Sequence, residues 1–311
     1  MLNYNKIGII GTGGVGGYFG ARLALSGNQV TFIARGKHLE AIKKNGLIVK
    51  SIKGNMEVNP AKASNNISDL SDCELIILGT KAWQIKEIAP ILKQNLNKDA
   101  LILPLQNGIL AIDELAEYFN RSQILGGLCM IFSSIESHGV INHMGHEPSI
   151  TFGEIDKSVK KRTQKIKDLF EKSGISCNLT NDIEAALWRK FMIICLSGLG
   201  TISNSGYGLL RGNSTTRQII IDVMTEVKMI SKAKNINLDN DIIEKSLAIV
   251  DAYPADSKSS LTRDVLSGKP SEIDYQNGTV VKLGEELGIE TPMNRFIYGM
   301  VKLLENKNYK S

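Results

Sequence analysis

The first half of the chain alternates brief apolar runs with longer amphipathic stretches. Residues 6–10, 29–34, 47–50, 74–79, 100–104 and 124–132 are short, rich in strand-forming side chains and bounded by turn residues, which predicts strands. Residues 17–26, 38–45, 83–96 and 109–119 repeat apolar positions every three or four residues, which predicts helices. This alternation predicts a mainly parallel, doubly wound sheet. From 141 to 153 the pattern is strand-like with no crossover helix, and an antiparallel hairpin is expected to extend that sheet. After Thr180 only helical spacing remains, over 182–196, 216–234, 241–252, 271–287 and 292–305, broken by a glycine-rich stretch at 198–212 and another stretch at 254–268. The expected fold class is α/β, with an N-terminal mainly parallel domain over 1–180 and an all-helical second domain over 181–311.

A glycine cluster joins the first strand to the first helix: Gly11-Thr12-Gly13-Gly14-Val15-Gly16. Gly11, Gly13 and Gly16 have the G-x-G-x-x-G spacing of a Rossmann-type dinucleotide turn. Gly11 would allow the tight turn, Gly13 the approach of a pyrophosphate, and Gly16 close packing of helix on sheet. The helix N-terminus would then offer free N–H groups to the phosphates. Gly11, Thr12, Gly13, Gly14, Val15 and Gly16 are therefore candidate cofactor-binding residues. The second strand ends in Arg35-Gly36-Lys37-His38, with no carboxylate to hold a ribose 2′-hydroxyl. Arg35 offers a multi-donor cation suited to a 2′-phosphate, so the expected cofactor is NADPH. A surface arginine opening a loop is the alternative.

The chain has 311 residues, 42% of them hydrophobic and 22% charged, with a formal net charge of +5. Two domains are expected from the length. So mild a charge does not argue for nucleic acid, and the basic run 157–167 is expected to be a solvated helix face. Cys73, Cys129, Cys177 and Cys195 are widely separated and expected to be free thiols. With a strand beginning by Ile7 no signal peptide is expected, and the apolar run 191–196 is too short to span a bilayer. A cytoplasmic protein with a small-molecule partner and no membrane or nucleic-acid partner is expected. A homodimer is compatible with the sequence.

Lys190 shares a helical stripe with Leu187 and Ile194. An ammonium on such a stripe either reaches a polar cleft as a proton donor or snorkels past the helix edge. Glu272, in Ser271-Glu272-Ile273-Asp274-Tyr275, reads as a capping residue or as a functional carboxylate. Lys81 and Asn107 follow the fourth and fifth strands, where ligand contacts gather in open α/β sheets, although Asn107-Gly108 is also an ordinary turn pair. His138, His143 and His146 fit a hairpin better than a metal site, and no metal is expected. An active site is expected where the helical domain faces the strands' carboxyl ends.

Several ordered motifs together resemble the ketopantoate reductases (2-dehydropantoate 2-reductases) over nearly the full length. They are the glycine turn, Thr80-Lys81-Ala82-Trp83-Gln84, Gln106-Asn107-Gly108, Leu187-Trp188-Arg189-Lys190 and Ser271-Glu272-Ile273-Asp274-Tyr275-Gln276-Asn277-Gly278. The resemblance implies NADPH-dependent reduction of 2-dehydropantoate to pantoate in pantothenate biosynthesis. It implies that Lys190 is the catalytic proton donor and Glu272 a catalytic residue contacting substrate and cofactor. It also implies that Asn107 lies by the nicotinamide and the substrate, that Ser260 binds the substrate carboxylate, and that Lys81 lies in the cofactor cleft. The family's asparagines four and eight residues after the lysine are replaced by Ile194 and Gly198, which on a helix would share Lys190's face. A third falls near Gly208, with Asn204 close by. These replacements leave two alternatives open: a reductase of a more apolar 2-oxoacid, or an NADP(H)-binding sensor without turnover.

Overall fold

In a computed structural model, which describes residues 4–308, the chain divides into two compact units. One comprises 1–106 and 110–183, the other 107–109 and 184–311. The expected boundary at 180 thus falls three residues later, and the Asn107 loop belongs to the helical unit.

The first unit holds two sheets. Strands β1 (Lys6–Ile10), β2 (Gln29–Ile33), β3 (Leu47–Ser51), β4 (Met56–Val58), β5 (Ala63–Ser64), β6 (Leu75–Leu78), β7 (Leu101–Pro104), β8 (Leu125–Ser137), β9 (Val140–Glu154) and β10 (Ser176–Leu179) alternate with α1 (Gly14–Leu25), α2 (Gly36–Asn45), α3 (Gln84–Asn95), α4 (Ala111–Ala116) and α5 (Lys161–Lys172). The order β5-β2-β1-β6-β7 makes an all-parallel sheet, with Ile7 between Val30 and Leu75. Its residues alternate between two cores. Ile7, Ile9, Leu75, Ile77, Leu101 and Leu103 face one, while Ile10, Ile76, Leu78 and Ile102 face the other with α3. Burial on both faces explains the continuous apolar runs.

The hairpin does not extend this sheet. β8 and β9 pair antiparallel, and β9 also pairs in parallel with β3 and β10, giving a second sheet. The run at 47–50 is a strand, as expected, but belongs there. Helix α1 packs against strands of both sheets, so it is buried nearly all round. Its glycines make that spacing possible. A Cβ on Gly16 would lie 2.2 Å from the Gly11 carbonyl oxygen, and one on Gly17 would lie 2.7 Å from Ile141 of β9.

The histidines lie on the hairpin. The His143 ring is buried against Tyr18, with Nδ1 bonded to Ser51 Oγ and Nε2 to the His146 carbonyl. The basic run continues into α5, whose Thr163, Ile166 and Phe170 are buried. Arg162 and Lys160 clamp the buried carboxylate of Glu154. Cys73, Cys129, Cys177 and Cys195 are free thiols.

The second unit is helical: α6 (Ile183–Ile194, whose first residue belongs to the first unit), α7 (Ser197–Ser203), α8 (Tyr207–Gly212), α9 (Ser214–Ala233), α10 (Ile242–Ala252), α11 (Ser260–Leu266), α12 (Asn277–Leu287) and α13 (Pro292–Asn308). α7 and α8 occupy most of the glycine-rich break expected at 198–212, and α11 lies inside the expected break at 254–268. Residues 183–203 run on as a 21-residue segment long and apolar enough to cross a membrane by length and composition, and 67% of its window is buried. Its buried side chains, Trp188, Phe191, Met192, Cys195 and Leu196, join the helical core. The longest such segment therefore exceeds the run at 191–196.

Candidate functional site

In the first unit the glycine turn does three separate things. Gly11 has φ +87°, and a Cβ there would meet the Thr80 backbone nitrogen at 2.7 Å. Gly16 is closed by the Gly11 carbonyl, as above. Gly13 faces open space, with nothing within 4 Å of where its Cβ would stand. Gly13 is also the N-cap of α1, and no side chain caps that end. At the start of α9, by contrast, Asn213 accepts from the N–H groups of Thr215 and Thr216. An uncapped N-terminus behind an open glycine has the donors and the room a pyrophosphate needs.

Thr12 anchors the turn. Its hydroxyl and N–H, with the N–H of Gly11, all donate to the Ile33 carbonyl at the end of β2. Gly14 and Val15 open the helix, and Gly14 is closed on one side by Ser133 of β8. The turn borders a cleft of about 240 Å³ that also takes in Arg35, His38, Asn65, Thr80, Gln84 and Ile135. Among the described residues no aspartate or glutamate lines it. Arg35 is exposed at the N-terminus of α2, and its guanidinium has no hydrogen bond or ion pair with the described residues. These features fit a dinucleotide, with an uncapped helix end for the pyrophosphate and an uncommitted guanidinium beyond the second strand. Lys81 is half-buried after β6, with its N–H donating to Gln84 Oε1.

In the second unit the fold brings Asn107 and Glu272 together. The Asn107 amide donates to Glu272 Oε2 at 3.1 Å across 165 residues of sequence. Gly108, at φ +95°, tucks against the Tyr275 carbonyl, where a Cβ would stand 2.7 Å away. The Asn-Gly pair is thus both a turn and a contact. Glu272 is buried, and its side chain does not cap the short 3₁₀ turn Ile273–Tyr275 that follows it. The Ser271 N–H donates to Glu305 of α13, fixing the segment. Lys190 is half-buried on α6 along the stripe of Ile183, Leu187 and Ile194. Ser260 opens α11. Its neighbour Ser259 is spent accepting from the Thr262 N–H, whereas the Ser260 hydroxyl has no partner among the described residues.

The replaced asparagines do not leave empty pocket surface. Gly198 is buried, and a Cβ there would lie 2.2 Å from Ile297 Cγ2 of α13. At Gly208 it would lie 2.6 Å from Ala255. Ile194 packs its partly buried side chain on the helical core. Asn204, in left-handed conformation, accepts from Lys258 Nζ at 2.7 Å.

Residues 7–157 match the family described as ketopantoate reductase PanE/ApbA, and residues 182–305 match its C-terminal region. The chain belongs to the ketopantoate reductase family. A 2-dehydropantoate 2-reductase from Nostoc is 28% identical over 99% of this chain and 97% of its own. A PanE/ApbA family ketopantoate reductase from Ralstonia eutropha superposes with TM-score 0.90 at 28% identity, covering 98% of this chain and 99% of its own. With the same TM-score, at 26% identity and equal coverage, a D-mandelate dehydrogenase in ternary complex with NADH and anilino(oxo)acetate shares the fold. The family is one of oxidoreductases, and its fold is used with more than one 2-oxoacid. Reading the sequence did not single out His38, Asn65 or Gln84 as lining the cleft. Gln84 lay in a quoted motif, whereas Asn65 follows a two-residue strand that no periodicity reveals.

Proposed function

We propose that this protein is an NADPH-dependent reductase of a 2-oxoacid, with 2-dehydropantoate as the substrate and pantoate as the product, serving pantothenate biosynthesis in the cytoplasm. The observation that carries the reading is the Asn107–Glu272 bond. It joins two predicted site residues that are remote in sequence and that neither capping nor core packing would pair.

The bound cofactor would supply the hydride for the C2 carbonyl. Lys190 would donate a hydrogen bond to that oxygen and then a proton to the alkoxide, so that one hydride and one proton reduce the ketone to an alcohol. The Glu272 carboxylate, held by the Asn107 amide, would orient Lys190 or a substrate hydroxyl. The free Ser260 hydroxyl would hold the substrate carboxylate. Arg35 would select the 2′-phosphate through charge-assisted hydrogen bonds.

A second reading rests on a specific observation. Gly198 and Gly208 are sealed by neighbouring groups and Ile194 packs on the helical core, so none of the three positions offers the amide that the family resemblance implies. A pocket without those donors suits a more apolar 2-oxoacid, since buried hydrogen-bonding groups are what discriminate strongly between substrates. NADPH and NADH consumption should be followed with 2-dehydropantoate beside branched and aromatic 2-oxoacids. Highest kcat/KM for 2-dehydropantoate with NADPH upholds the first reading, whereas preference for an aryl or branched oxoacid upholds the second. Tight NADPH binding with no turnover on any oxoacid would reject both in favour of a sensor.

A further inference from the structure

We propose that His38 is a positioning residue for the dinucleotide, fixing the peptide between Thr12 and Gly13; the proposal rests on the cleft being the dinucleotide site. His38 sits on α2 and its half-buried ring lines that cleft. Its Nε2 lies 2.8 Å from the Thr12 carbonyl oxygen, and the Gly139 N–H reaches its Nδ1 at 3.0 Å. A backbone amide can only donate, so Nδ1 must be the unprotonated nitrogen. The ring proton is therefore on Nε2, and that nitrogen donates to Thr12. Burial pushes the His38 pKa below its ordinary value, which favours this neutral ring.

The geometric consequence follows from peptide planarity. The Thr12 carbonyl and the Gly13 N–H are opposite ends of one trans peptide unit, so holding the carbonyl on His38 aims the N–H away from it. The same Thr12 is held from the other side by Ile33. Gly13, with open space at its Cα, has no side chain to restrain that peptide. His38 holds that peptide at its carbonyl end, while Thr12 itself is anchored through its N–H and hydroxyl. The N–H groups of the turn must be aimed before the phosphates arrive if they are to bind without a reorganisation cost.

This reasoning separates His38 from Arg35. Arg35 would act on the 2′-phosphate and so on NADPH alone, whereas His38 would act on the pyrophosphate turn and so on NADPH and NADH alike. The test uses the full chain as wild type, His38→Gln and His38→Asn, with NADPH and NADH binding read by nucleotide fluorescence and melting temperature as the folding control. A glutamine amide reaches the position of Nε2 and can still donate to Thr12, whereas an asparagine reaches only the position of Nδ1 and can serve Gly139. We expect His38→Gln to bind both nucleotides nearly as wild type. We expect His38→Asn to weaken both by a common factor, roughly ten-fold for one lost hydrogen bond, with KM for the nucleotide raised and kcat at saturation unchanged. Asparagine binding as well as glutamine, both variants binding as wild type, or loss confined to NADPH would each overturn the proposal. Wild-type protein that binds neither nucleotide would instead reject the dinucleotide reading, and this one with it.

Discussion

Restoring the family's asparagine at position 198 should damage the protein rather than improve it. The position lies in α7, buried, with Ile297 Cγ2 2.2 Å from the ideal Cβ site and Asn277 Oδ1 at 3.4 Å. Isoleucine is stiff at χ1 and its methyl cannot swing aside cheaply, so overpacking costs about 1–3 kcal/mol. The amide adds about 1–3 kcal/mol if it is buried without full partners. One offset exists, because Asn277 Oδ1 is itself buried without a partner, and an amide donating to it would return about 1 kcal/mol. The gain in helix propensity over glycine is only about 0.3 kcal/mol. Gly198→Asn should therefore destabilise by roughly 1–5 kcal/mol, or about 3–15 °C in melting temperature. Scanning calorimetry is the right assay, since two units need not melt together. Ile297→Ala in the same chain should recover part of the loss relative to the sum of the single changes. A Gly198→Asn protein of undiminished melting temperature, with raised kcat/KM for 2-dehydropantoate, would show that position 198 faces substrate and refute the packing argument.

Lys190→Ala should lower kcat by about 10²–10⁴-fold, the usual contribution of a positioned acid, with NADPH affinity little changed; unaltered turnover would remove Lys190 from the reaction. Arg35→Ala should raise the Kd for NADPH by roughly 10–100-fold, as for loss of charge-assisted hydrogen bonds, and leave NADH binding in place, and an equal effect on both would show that the arginine does not read the 2′-phosphate. Burial pushes the Cys177 thiol up to about 11, so only about 0.1% is thiolate at pH 8 and its rate with a thiol reagent should climb about ten-fold per pH unit from there to pH 10. Rapid labelling at neutral pH would contradict the packing around it.

The parallel sheet was legible because its strands are apolar on both faces and its helices carry their own period. Other elements carry too little chain to show a pattern: β5 is two residues, Ala63–Ser64, and β4 is three. The second sheet was hidden for a different reason. β3 looks like any parallel strand, and only its register with β9, Ile48 opposite Val140, assigns it elsewhere. Gly198 and Gly200 disguise α7 as a break in the helical pattern, yet these glycines allow close packing against Ile297 and the Ser205 carbonyl. Within the turn, the roles of Gly11, Gly13 and Gly16 could be read because each works through local geometry. His38 could not, since its two partners lie 26 and 101 residues away.

The burial of α1 between two sheets has a consequence for the order in which the molecule is made. The glycine turn occupies positions 11–16, but Ser133 closes on its Gly14, Ile141 on Gly17 of the helix behind it, and Gly139 anchors the His38 ring that bonds Thr12. While the chain is growing, a ribosome-held fragment ending before β8 already contains the whole glycine motif and Arg35. It nonetheless lacks the second wall of the helix and the far anchor of His38. A dinucleotide site at this turn would therefore be completed late in synthesis, once the hairpin some hundred residues downstream had closed over a motif finished long before it.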